Sequence, residues 1–185
     1  MKLLLIVQLI WNDLYMSKYE VVEKFVSING EGTKAGQLAV FIRFKGCNLN
    51  CKYCDTKWAN EQGTPSQPMT EKEILDYVLS TGVKNVTLTG GEPLLREGIE
   101  NVITVLAENN LNIEIETNGS VYLDKIRKLH KENVTFTMDY KLSCSGMEAA
   151  MNLDNFDILN SNDTVKFVAG CREDLIKAKQ IIEKY

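Results

Sequence analysis

The chain has 185 residues, 44% of them hydrophobic and 25% charged, with a formal net charge of −4. That length suits one domain with a substantial core, and that composition belongs to a globular chain rather than a disordered one. A negative balance without a basic block argues against a nucleic-acid partner held through its backbone, and five cysteines with three clustered fit a reducing cytosol rather than a secreted disulfide framework.

The apolar run Leu3 to Trp11 is too short to span a bilayer, and Asn12-Asp13-Leu14-Tyr15 offers no small-residue cleavage site. Residues 1–15 therefore read as an N-terminal appendage or a misassigned start, and Met16 opens the domain that fills residues 16–185. In Ser27-Ile28-Asn29-Gly30-Glu31-Gly32 two glycines flank a carboxylate, a pattern suited to a loop folding over a polar ligand. Leu38 to Phe44 is an apolar run expected as a buried strand. Arg43 within it is costly to bury unpaired, and its planar fork suits a carboxylate, either a ligand's or that of a core glutamate. Asn60 to Pro68 reads as a loop, because it holds two of the three prolines.

Thr70-Glu71-Lys72-Glu73 is a capping box, and Ile74, Leu75, Val78 and Leu79 follow at helical spacing. Val83 to Thr89 is the next predicted strand. Gly90-Gly91-Glu92-Pro93 follows it directly; two glycines let a ligand approach the backbone, or serve a tight turn with Pro93 opening a helix. Leu95 to Asn109 is a predicted helix with Ile99, Val102, Ile103 and Leu106 on one face. Ile113 to Thr117 is a strand turned by Asn118-Gly119. Val121 to Lys131 is a helix, Val134 to Met138 and Thr164 to Val168 are strands, and Glu173 to Lys184 is a last helix with Leu175, Ala178 and Ile182 facing in. This alternation predicts an α/β fold with a parallel sheet. The motifs all fall at the carboxyl ends of strands, where barrel-like α/β folds place their chemistry.

Cys47, Cys51 and Cys54 stand in the order Cys-x3-Cys-x2-Cys. Three thiolates on one short loop can hold three corners of a 4Fe–4S cluster and leave the fourth iron open to a small molecule, whereas electron carriers close all four corners. The alternative is a three-cysteine zinc site with its fourth ligand elsewhere. The single histidine, His130, lies in a charged stretch that reads as a solvated helix end. Cys144 and Cys171 stand alone in the sequence and read as small buried hydrophobes.

The cysteine motif with Gly90-Gly91-Glu92-Pro93 resembles the radical S-adenosylmethionine (SAM) superfamily. Together with Ser27-Ile28-Asn29-Gly30-Glu31-Gly32, Cys54-Asp55-Thr56 and Glu116-Thr117-Asn118-Gly119 it is similar to the 7-carboxy-7-deazaguanine synthase family. The resemblance runs from about Tyr19 to the end of the chain. It implies a partial (β/α) barrel of radical SAM type, lacking its last strand and helix, because relatives continue past Tyr185 into a further strand, a helix and a tail. It implies a lyase that converts 6-carboxy-5,6,7,8-tetrahydropterin to 7-carboxy-7-deazaguanine with loss of ammonia, in queuosine biosynthesis, through a radical generated from SAM.

By the same resemblance Cys47, Cys51 and Cys54 hold the 4Fe–4S cluster, and Thr56 holds Mg2+. Ile28, Asn29, Gly30, Arg43 and Thr89 contact substrate. Gly91, Asp139, Tyr140 and Lys141 contact SAM. The implied partners are a small pterin, an external electron donor such as flavodoxin and a second copy of the chain in a homodimer, in the cytoplasm, with no nucleic acid and no membrane. Ser143-Cys144 stands where relatives tend to read Pro-Ser, which makes Cys144 a candidate reactive thiol near the cofactor. Two other readings carry different expectations: a glycyl-radical-enzyme activase would need a macromolecular partner, and a non-catalytic iron–sulfur or zinc module would bind no SAM.

Overall fold

A computed structural model describes residues 18–129 and 132–185. The expected appendage at residues 1–15 and the solvated helix end at His130 lie outside the described residues. Among the described residues seven strands make one open sheet in the order β3-β1-β2-β4-β5-β6-β7. The strands are β1 (Tyr19–Ile28), β2 (Leu38–Phe44), β3 (Gln67–Met69), β4 (Asn85–Gly90), β5 (Asn112–Thr117), β6 (Val134–Tyr140) and β7 (Thr164–Phe167). From β2 through β7 the pairing is parallel in the order β2, β4, β5, β6, β7. β1 pairs antiparallel with both β2 and β3, adding a meander to the edge of the parallel sheet. Neither β1 nor β3 was assigned from sequence. β1 mixes polar and apolar residues without strict alternation and shifts register between Val21 and Glu23, and β3 contains Pro68, which only an edge strand tolerates.

The helices are α1 (Glu71–Thr81), α2 (Ile99–Glu108), α3 (Asp124–Leu129) and α4 (Arg172–Lys184). Thr70 starts α1 with the expected capping box: its hydroxyl accepts from Glu73 N at 3.2 Å, and Glu73 Oε2 accepts from Thr70 N at 2.8 Å. Gly82, in the left-handed conformation at φ 70°, ends the helix. The helix expected from Leu95 begins instead at Ile99. Pro93–Leu95 forms a separate 3-10 turn capped by Glu92, and Gly98 at φ 71° breaks the path between the two.

Alternation along the parallel strands sorts the sheet into two faces. Val40, Ile42, Val86, Leu88, Ile113, Ile115 and Phe136 point outward and pack with Ile74, Val78, Val102, Ile103 and Leu106 of α1 and α2. The residues between them are largely polar: Arg43 of β2, Thr87 and Thr89 of β4, Glu114 and Glu116 of β5, Thr137 and Asp139 of β6. Register aligns them into a band across the concave face, with Arg43 beside Thr89, Thr87 beside Glu114, Glu116 beside Thr137 and Asp139 beside Lys166.

A second core cluster joins Tyr140 and Leu142 to Ala178 and Ile181 of α4. The expected inward residues of this helix are corrected in part. Ala178 is buried, but Leu175 and Ile182 are 61% and 66% exposed. The inward stripe runs through Asp174, Ala178 and Ile181, because Asp174 turns in to accept from Cys144 N at 3.1 Å and Gly170 N at 2.9 Å.

Candidate active site

The carboxyl ends of β2, β4, β5, β6 and β7 surround a cavity of about 420 Å³. Cys47, Cys51 and Cys54 border it from the loop after β2, joined by Thr56, Arg43, Thr89, Gly91, Asp139 and Lys141. Motifs separated along the chain thus share one space. A smaller cavity of about 330 Å³ near Leu95, Gly98 and Tyr122 holds none of these residues.

The cysteine loop is held from three sides. Lys52 N donates to Ser145 O at 2.9 Å, Tyr53 Oη donates to Val168 O at 3.3 Å, and Asn118 Nδ2 donates to Cys47 Sγ at 3.5 Å. Leu49 N donates to the same sulfur at 3.4 Å. Such donors to a ligand sulfur tune a metal centre. Burial pushes the Cys51 thiol up, with Lys141 acting against it and the neighbouring cysteines and Asp139 adding to it.

Gly90 and Gly91 are dictated by close approach. A Cβ on Gly90, at φ 138°, would meet Phe44 O at 2.2 Å, and one on Gly91 would meet Gly46 O at 2.1 Å and Asn60 Oδ1 at 2.3 Å. This packing lets Gly91 N and Glu92 N donate to Phe44 O and Gly46 O, at 3.2 and 3.0 Å, which locks the glycine turn against the cysteine loop. Glu92 works beneath the cavity. It is fully buried and accepts from Asn118 N at 2.6 Å, Leu94 N at 3.0 Å and the Thr117 hydroxyl at 3.0 Å. Burial pushes its carboxyl up to about 7, against the pull of those donors and of Lys141.

The substrate-side candidates separate in space. Gly30, Arg43 and Thr89 border the cavity. Arg43 Nε pairs with Glu23 on β1 at 2.9 Å, which leaves the planar Nη donors for the cavity. Thr89 Oγ1 donates to Glu116 Oε2 at 2.6 Å. Ile28 and Asn29 are not among the lining residues. Ile28 is 64% exposed at the end of β1, and Asn29 is buried, donating through Nδ2 to Glu114 Oε2 and Thr87 Oγ1. The loop they introduce crosses the concave face: a Cβ on Gly32 would meet Glu114 Oε1 and Thr137 Oγ1 at 1.9 and 2.6 Å.

On the opposite wall Lys141 Nζ pairs with Asp139 Oδ2 at 2.7 Å. Tyr140 points to the other side of β6 and packs between Phe156 and Phe167, so it does not border the cavity. Thr56 Oγ1 donates to Asp55 Oδ1 at 2.6 Å. The Arg43 partner left open by sequence is Glu23, 42% exposed rather than a core glutamate.

The radical SAM superfamily matches residues 41–141, the span from β2 to Lys141. A 7-carboxy-7-deazaguanine synthase of Clostridium acetobutylicum is 59% identical over 168 residues, 90% of this chain and 76% of the relative. The chain belongs to the 7-carboxy-7-deazaguanine synthase family of radical SAM enzymes. A 7-carboxy-7-deazaguanine synthase of Methanospirillum hungatei is 36% identical over 90% of this chain and 68% of its own length. The fold is shared with the crystal structure of QueE from Escherichia coli, at a TM-score of 0.73, 23% identity, and coverage of 91% of this chain and 79% of that one.

Radical SAM enzymes of this family use a 4Fe–4S cluster and SAM, and the cavity chemistry fits both. Asn60 Oδ1 and Asp139 Oδ1 are buried acceptors without a partner among the described residues. An unmet buried acceptor costs about 1–3 kcal/mol. The ammonium of SAM is the kind of donor that satisfies such acceptors.

Sequence reading missed several residues of this site. Asn60, Glu116 and Lys166 all border the cavity, as does Glu31, the carboxylate expected in the ligand loop. Burial pushes the Glu116 carboxyl up, although Thr89 bonds to it. Its signal was present: Ile113-Glu114-Ile115-Glu116-Thr117 alternates strictly, which puts both glutamates on one face. Lys166 had no such signal, because its partner Glu31 is distant in sequence.

Proposed function

We propose that this enzyme converts 6-carboxy-5,6,7,8-tetrahydropterin to 7-carboxy-7-deazaguanine with loss of ammonia. The observation that carries this reading is one polar cavity bordered by the cysteine loop, Thr56, Arg43, Thr89 and Asp139 in a chain 59% identical to a synthase of that name. When bound, the cluster on Cys47, Cys51 and Cys54 together with SAM supplies the reductive chemistry and the hydrogen abstraction that start the reaction.

The chain's own groups bind and orient. Asp139 and Asn60 offer acceptors to the ammonium of SAM, and Gly91 lines the same cavity beside them. Lys141 holds Asp139 in place. The Arg43 Nη donors match the substrate carboxylate. Glu116, braced by Thr89, faces the donor-rich aminopyrimidinone edge. Gly30 lets the loop lie close over the ligand, with Ile28 and Asn29 supporting that loop from outside the cavity. Thr56 already donates its proton to Asp55, so its oxygen lone pairs suit a Mg2+ that keeps waters and a substrate carboxylate. An external reductant such as flavodoxin and a homodimeric assembly complete the reading.

A cavity of this size and polarity favours a small molecule over the peptide chain that a glycyl-radical-enzyme activase must admit. The test is anaerobic reconstitution with iron and sulfide, followed by assay with SAM, a reductant and carboxytetrahydropterin. The expected product is 7-carboxy-7-deazaguanine, with turnover stimulated by Mg2+. Deoxyadenosine released without deazaguanine would assign another radical reaction.

A further inference from the structure

Cys144 and Cys171 stand 27 residues apart in the chain. The fold brings their Sγ atoms to 2.8 Å, with both thiols free and partly exposed. A disulfide bond is about 2.05 Å long, so little movement separates the pair from bonding. Cys144 lies in the 3-10 turn Ser143–Ser145 after β6, and Cys171 is the N-cap residue of α4. Neither belongs to the cysteine loop or borders the cavity.

The surroundings are built for this approach. Buried Asp174 holds both loops at once, accepting from Cys144 N through Oδ1 and from Gly170 N through Oδ2. Gly170 makes room: a Cβ there would meet Cys144 Cβ at 3.0 Å and its Sγ at 3.5 Å. Backbone N–H groups of both loops bond to Asp174, so that carboxylate ties the two segments together.

We propose that Cys144 and Cys171 form a reversible disulfide, a thiol-modification site separate from the cluster. The oxidant is a low-molecular-weight disulfide, RSSR. Cys171, as its thiolate, attacks one sulfur of RSSR and expels RS⁻. Cys144 then gives up its proton and attacks the Cys171 sulfur, expelling the second RS⁻. Two protein thiols are oxidised, one RSSR is reduced to two RSH, and the two thiol protons end on the released thiols. Cys171 and Asp174 push the Cys144 thiol up to about 12, so this second attack quickens as pH rises.

The bond would staple the two segments that hold the cysteine loop, since Ser145 O takes Lys52 N and Val168 O takes the Tyr53 hydroxyl. The redox state of the pair thereby sets how firmly the loops around the cluster are tied together.

The test uses the anaerobically purified, cluster-loaded enzyme. It is treated with oxidised glutathione, quenched by alkylation, digested and mapped by mass spectrometry. The expected result is a linked peptide joining Cys144 to Cys171, reversed by dithiothreitol, with iron content unchanged. Cys144→Ser should instead retain glutathione on Cys171, and Cys171→Ser should give no linked peptide. The oxidised wild-type enzyme should melt at a higher temperature than the reduced form, and neither serine variant should share that shift. Separate alkylation of both cysteines after treatment, or glutathione on each in the wild type, would overturn the proposal. Metal beyond the cluster that disappears in Cys171→Ser would overturn it in favour of a metal site.

Discussion

Glu92 illustrates how a motif residue can serve a site without entering it. Its two oxygens collect three donors and so fasten the glycine turn after β4 to the end of β5. Its carboxyl is raised by burial from 4.5 to about 7. Between those values the unfolded chain has lost the proton while the folded chain keeps it, so folding stability falls as pH rises through that window and levels off above about 7. The shift corresponds to about 3 kcal/mol. Glu92→Gln does not titrate, and its amide N–H would face a backbone N–H. The variant should be less stable than the wild type at pH 5, with the gap narrowing toward pH 7.5. Urea unfolding at both pH values under anaerobic conditions measures this, and a gap independent of pH would refute it.

The cysteines divide by place in the same way. Cys47→Ala, Cys51→Ala or Cys54→Ala should each abolish the brown colour and SAM cleavage, while Cys144→Ala and Cys171→Ala keep about four irons per chain. Iron analysis of the five variants decides the matter.

At the scale of elements, local chemistry set the starts and ends of helices more firmly than hydrophobic periodicity did. The reciprocal Thr70–Glu73 bonds and Gly82 bound α1 as the sequence predicts. Periodicity ran α2 four residues too early, because Leu95 fits the apolar stripe while Gly98 cuts the path. On α4 it chose Leu175 and Ile182, whereas a buried carboxylate rotated the inward face to Ala178 and Ile181. The Thr70 cap sits at a partly exposed start, so Thr70→Ala should cost about 1 kcal/mol of stability without altering iron content. Thermal unfolding beside iron analysis tests it, and an unchanged melting temperature would contradict the cap's role.

For the whole molecule, the open sheet is bridged across its mouth by side chains rather than by a strand. Lys166 Nζ on β7 reaches Glu31 Oε1 in the loop after β1 at 2.7 Å and lies 3.8 Å from Asp139 Oδ2. Burial pulls the Lys166 ammonium down, yet Glu31 and Asp139 together outweigh it and leave it raised. Both members of the Lys166–Glu31 pair are over a third exposed, so the pair adds at most about 1 kcal/mol to stability. Its larger effect is on the loop it holds over the cavity. Lys166→Met should leave melting nearly unchanged and raise the KM for pterin about fivefold, the equivalent of about 1 kcal/mol. An unchanged KM would show that the bridge does not order the loop. No helix among the described residues is long and apolar enough to cross a membrane.

The alternation of strand with helix determined the fold class, and the cysteine spacing and the glycine turn narrowed the chemistry, because each is local: a ligand loop, a close approach or an amphipathic period is written in neighbouring residues. Alternation in β5 even placed Glu114 and Glu116 on one face. The tertiary structure alone decided which distant groups meet. It added β1 as a meander on the parallel sheet, gave Arg43 its partner Glu23, and set Cys144 against Cys171. Those pairings depend on strand order, register and sheet curvature, which arise from the packing of the entire chain and leave no trace in the spacing of any one segment.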